Sequence, residues 1–134
     1  MSNNIVPQLA ILIGAPHGDQ DSMHHDVAAM YGALKRRGLT SEEILCLEGR
    51  IDRRLLLGFL QAVHHRIASW KRGALFLYVT GHGFFSSEAA EDAHVGLVLP
   101  PTQQVGDEHH IFWNELFEAL SVPQGIRLTL LPDH

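Results

Sequence analysis

With a single cysteine, Cys46, in 134 residues, the chain cannot close a disulfide on itself or build a zinc centre on several thiolates, which fits a reducing cytosol. It also lacks a basic cluster. Ten Lys and Arg against fifteen Asp and Glu leave a formal charge of -5, and the cations are scattered, so there is no electrostatic footprint for DNA or RNA. Long apolar segments are missing too, and the start, Met1-Ser2-Asn3-Asn4, has no basic region, so neither a signal peptide nor a membrane span is expected. A cytoplasmic protein with no nucleic-acid and no membrane partner is the default. Repeats, linkers and low-complexity tracts are likewise absent, and 46% hydrophobic content suits one domain, residues 1–134, with a real core.

Histidine is what the chain has in plenty. There are ten, including the pairs His24-His25, His64-His65 and His109-His110. Adjacent residues on a helix or strand point in different directions, so such pairs do not chelate one metal as an i, i+4 pair can, and most read as surface residues. Distant histidines can still assemble a metal site in three dimensions, but the spacing assigns no metal ligand and no cofactor. Residues 14–21 contain acids and no Gly-Lys-Ser/Thr, against a flavodoxin-like phosphate loop. A Gly-x-Ser-x-Gly elbow, needed for an α/β-hydrolase, does not occur.

The hydropathy pattern alternates. Residues 8–13 (QLAILI), 44–47 (ILCL), 74–80 (ALFLYVT) and 126–131 (IRLTLL) read as strands. Between them, helices are predicted from an N-cap at Ser22 to about Arg37, over residues 52–70 with a stripe of Leu55, Leu56, Phe59, Leu60, Val63 and Ile67, and over residues 111–120 with Phe112, Leu116 and Leu120 four apart. Strand-helix alternation implies right-handed crossovers, hence an α/β three-layer sandwich on a mostly parallel sheet. A further short apolar run, residues 95–99, lies between two polar loops. The last strand is apolar and the sequence stops at its tip, so this reads as a cut chain, with the C-terminal part of the domain missing. Either the remainder of the same domain or a partner chain is expected to cover that strand.

The third strand stops at Gly81-His82-Gly83, which reads as a tight loop presenting one imidazole. Its glycines leave room for a substrate backbone to approach. His82 is the candidate working group, set against the plain reading of a hydrogen-bonded turn histidine. Cys46, in an apolar run without basic neighbours, reads as a buried and inert thiol.

Taken in order, these features resemble the caspase-like cysteine peptidases, the superfamily of caspases and metacaspases, in particular its bacterial members. Val79-Thr80-Gly81-His82-Gly83 is similar to the motif bearing that family's catalytic histidine, with Thr80 where serine is common. Leu130-Leu131-Pro132-Asp133-His134 resembles the Asp-x-Cys strand end, one residue short of its cysteine. Asp26-Val27 with Met30 and Leu34 resembles the Asn-Asp-Ala helix, with His25 in place of asparagine, and Gly96-Leu97-Val98-Leu99-Pro100 the segment after the histidine loop.

The resemblance implies a cysteine endopeptidase that acts on protein or peptide substrates without a cofactor. His82 would be the acid/base and the backbone N–H of Gly83 an oxyanion donor, with the nucleophile directly after His134. It also implies that Asp26 and Asp133 line a pocket for Arg or Lys before the scissile bond, a charge match. Against this stand a capping or solvated role for Asp26 and a turn role for Asp133. The chain as given is expected to be inactive. The alternative is a catalytically inactive caspase-like domain used for regulation or docking.

Overall fold

The computed structural model describes residues 6–15, 20–49, 51–86, 94–98 and 110–133. Its elements run β1 (Gln8–Ala15), α1 (Gln20–Arg36), a short 3-10 turn (Ser41–Glu43), β2 (Ile44–Glu48), α2 (Arg53–Ile67), β3 (Gly73–Ser86), β4 (His94–Val98), β5 (His110–Phe112), α3 (Trp113–Leu120) and β6 (Ile126–Asp133). Strands β2, β1, β3 and β6 lie side by side in that order, all parallel. This is the α/β architecture that the alternation of apolar strands and amphipathic helices demands, because a parallel strand can be reached only by a crossover. The C-terminal ends of the four strands therefore share one edge of the sheet.

Pleat alternation divides the core in two. Leu9, Ile11 and Ile13 of β1 with Leu75, Leu77 and Val79 of β3 face α2 and α3, which bring Leu56, Leu60, Val63, Ile67, Leu116 and Leu120. Ala10, Leu12 and Tyr78 point to the other face and meet Val27 and Leu34 of α1. The two faces explain why β1 reads as an unbroken apolar run: every residue from Leu9 to Ala15 is buried. β6, at the sheet's edge, alternates instead. Ile126, Leu128 and Leu130 pack on the α2–α3 side, whereas Arg127, Thr129 and Leu131 are exposed on the other. Among the described residues β3 is its only strand partner. A glycine is required where β6 begins: Gly125 has φ +96°, and a Cβ there would stand 2.6 Å from the Lys71 carbonyl oxygen.

Three local expectations are corrected. The first helix begins at Gln20, so Ser22 lies inside it rather than capping it; apolar periodicity marks only where the buried stripe starts, and polar residues carry the helix ahead of it. In α2 the N-cap is Asp52, whose Oδ1 accepts the Leu55 N–H at 2.7 Å, and the buried stripe is Leu56, Leu60, Val63 and Ile67, with Leu55 49% exposed. The segment predicted as one helix from Ile111 starts as a strand, where Ile111 and Phe112 pair with Leu97 and Gly96 of β4 before α3 begins at Trp113. β-branched and aromatic residues favour that pairing, and the four-residue spacing of Phe112 from Leu116 could not tell the two apart.

No helix among the described residues is long and apolar enough to cross a membrane.

Candidate functional site at the C-terminal edge of the sheet

β3 is fourteen residues long and belongs to three ladders, one of them the parallel pairing of Ala74 to Gly81 with β1. Gly73 to Thr80 pair in parallel with β6, and His82 to Ser86 pair antiparallel with β4. Gly81-His82-Gly83 is thus continuous strand and not the tight loop that its glycines suggest. The apolar run now seen as β4 supplies the neighbouring strand, opposing His82 with Val98 and Gly83 with Leu97, and a segment held in a ladder has no cause to turn. The Phe84 and Phe85 positions, aromatic and strand-favouring, carry the ladder on to Ser86. The polar loop expected between Ser86 and His94 lies at residues 87–93, outside the described residues.

The parallel register builds a row across the sheet at this edge. Gly14 of β1 lies opposite Glu48 of β2 on one side and Thr80 of β3 on the other, and Thr80 lies opposite Asp133 of β6. The early turns of α1 cross this row and are tied to it twice. His24 Nδ1 is 2.8 Å from Glu48 Oε1, an exposed pair. The Thr80 hydroxyl donates to Asp26 Oδ2 at 3.3 Å. Asp26 is the seventh residue of α1, which removes the capping role considered for it, since a cap precedes the first turn. Asp26, Thr80 and the register position of Asp133 are therefore brought together, two residues before His82 along β3.

Beside them opens a cleft of about 340 Å³ lined by Asp26, Met30, Ala33, Tyr78, Leu131 and Pro132. Its walls are apolar and Asp26 supplies a carboxylate, a combination suited to a side chain with a methylene stem and a cationic head. It continues the exposed strip of β6, where a larger groove of about 580 Å³ runs past Phe76, Thr129 and Arg127 beside α1.

Cys46 lies elsewhere on the sheet. It sits on edge strand β2, one strand beyond β1, and it is exposed rather than buried. Apolar neighbours in sequence misled here because alternate residues of an edge strand face opposite ways: Leu45 and Leu47 pack against the α2–α3 core while Cys46 is left open. Partial desolvation, with the Glu48 carboxylate second, raises the thiol above its ordinary pKa, which disfavours the thiolate a nucleophile needs. The expectation of an unreactive thiol thus gains a physical cause different from full burial.

Sequence reasoning did not assign roles to His24, Glu48 or Thr80. Only Thr80 carried a signal, as the residue preceding Gly81-His82-Gly83; the His24–Glu48 link spans 24 residues and has no local signature. Among the described residues no group of three or more His, Cys, Asp or Glu could hold a metal ion. Comparison with known proteins finds no family model that matches the chain and no curated protein that matches it.

Proposed function

We propose that this chain is part of a caspase-like cysteine endopeptidase domain of cytoplasmic location, cleaving proteins or peptides after Arg or Lys. The observation that carries the reading is the parallel register of β3 and β6, with Thr80 opposite Asp133 and bound to Asp26. If that register continued two residues further, the position after His134 would lie opposite His82, at the roughly 4.8 Å spacing of neighbouring strands. A cysteine at that position would stand within reach of the imidazole. His82 then takes the thiol proton and returns it to the leaving amine, and the Gly83 N–H, unobstructed by a side chain, helps hold the oxyanion.

The apolar cleft that Asp26 helps line supports the substrate preference. Two carboxylates, Asp26 and Asp133, would hold a cation there and repel an acidic side chain. The reaction needs no cofactor, metal or nucleic acid. The bare strip on β6 suits coverage by the rest of the same domain or by a partner chain, which would bury Leu131, now 44% exposed.

The test uses the protein extended past His134, with peptides differing only at the residue before the scissile bond. Arg and Lys peptides should be cut and the Asp peptide should not, and His82→Ala should abolish turnover with the fold intact. Faster cleavage after Asp would defeat the pocket assignment; undiminished activity in His82→Ala would defeat the mechanism. Serine or alanine in place of the expected cysteine, with no turnover, would favour the docking role instead.

A further inference from the structure

Thr80 is 4% exposed, a buried polar side chain. Burying a hydroxyl costs free energy unless it is hydrogen-bonded, and here its proton goes to Asp26 Oδ2. Thr80 stands at the last position where β3 pairs with β6, and β-branching restricts its χ1, so the hydroxyl direction is held by a strand paired on both sides. Asp26, by contrast, is half-buried on α1 and lines the apolar cleft. A carboxylate on a helix has rotamer freedom that must be lost before it can meet a cation in one geometry.

We propose that Thr80 is a specificity-determining positioning residue: its hydroxyl fixes the Asp26 carboxylate in the orientation that receives a cationic side chain in this cleft. The inference rests on the reading of the cleft as a pocket for Arg or Lys. Thr80 does not touch the cation. Held by one oxygen, the Asp26 carboxylate would keep its remaining acceptor sites for a cation in the cleft that Met30, Tyr78 and Leu131 also line. A hydroxyl that merely fastened α1 to the sheet would influence stability, and it would influence charged and neutral ligands alike.

Charge discrimination therefore tests it on the chain itself. The folded protein is titrated with acetyl-arginine amide and with acetyl-citrulline amide, which has nearly the same shape and no charge, and amide chemical shifts report both affinities. The wild-type chain should prefer the arginine compound. Thr80→Val should cut that preference by about tenfold, the scale of one hydrogen bond to a charged group, and Thr80→Ser should restore most of it. Thr80→Cys, close in size with a weak donor, serves if the valine variant does not fold, and its preference should fall as well. Asp26→Asn separates the two levels of the argument. If Asp26→Asn collapses the preference while folded Thr80→Val or Thr80→Cys keeps it, Thr80 has no positioning role and the pocket reading stands. If the wild-type chain shows no preference, or Asp26→Asn leaves it unchanged, the pocket reading fails and this inference with it.

Discussion

The two faces of the sheet differ in how completely they are covered. One is roofed by α2 and α3, whose Leu56, Leu60, Val63, Ile67, Leu116 and Leu120 close over strands β1 and β3 and reach Leu128 and Leu130 of β6. Arg53 of α2 clasps Glu115 of α3 through both guanidinium arms, one contact measuring 2.9 Å. Among the described residues the other face has α1 alone, packed on Ala10, Leu12 and Tyr78, with Arg127, Thr129 and Leu131 exposed. The Asp26–Thr80 contact and the apolar cleft lie on this second face. Packing density and candidate chemistry are thus separated across one sheet: the well-filled side fixes the strands, and the sparsely covered side has space for a ligand.

The comparison breaks if the covered face proves expendable. Leu77, fully buried in the middle of β3 toward α2 and α3, should cost about 2–5 kcal/mol on replacement by alanine, read from denaturant unfolding with an unchanged m-value. A loss under about 1 kcal/mol would mean that this core collapses around the cavity and does not brace the strands. On the opposite face, Leu131→Gln should leave the stability of the present chain within about 0.5 kcal/mol, because the residue is already 44% exposed. If β6 is covered as proposed, the same substitution in a chain extended past His134 should cost about 1–3 kcal/mol. Equal, small effects in both would show that nothing covers β6.

The smallest effect concerns reactivity and not stability. Cys46 is exposed, yet its thiol pKa is raised by desolvation and by Glu48, so at any pH below that value the folded chain holds less thiolate than the unfolded chain. Iodoacetamide should label folded Cys46 more slowly than the denatured protein near pH 8, and the gap should close as pH rises past the folded pKa. Glu48→Gln should narrow it, since it removes the second cause of the shift. Faster labelling in the folded state would reopen Cys46 as a nucleophile.

Much of the architecture could be read from the sequence, for a definable reason. Four apolar runs separated by helical stripes leave a parallel sheet as the only economical arrangement, and strands buried on both faces, such as β1, announce themselves without alternation. Position in the sheet was less legible. Cys46 and Leu131 sit in apolar runs and are nonetheless exposed, because exposure at an edge strand depends on what lies beyond it, which no local pattern encodes. Gly81-His82-Gly83 misled for a related cause: glycines report what the backbone is free to do, while the pairing with β4 decides what it does. The candidate site was legible as separate residues, His82, Asp26 and Asp133. Thr80 was legible as the residue before Gly81-His82-Gly83, but its tie from the histidine strand to α1 emerged only with the contact to Asp26.

The fourteen uninterrupted residues of β3 also bear on which insertions and deletions a gene for this fold can carry. Between Thr80 and His82 there is a single residue, and the ladders on either side are pinned by separate partners, β6 before and β4 after. One extra codon there would invert the pleat of everything downstream, sending position 82 to the opposite face while leaving the stem of the sheet intact. Two extra codons would restore the face and shift the histidine along the strand by about 7 Å, away from the row that contains Thr80. The spacing from the sheet to the histidine therefore tolerates no insertion or deletion between Thr80 and His82.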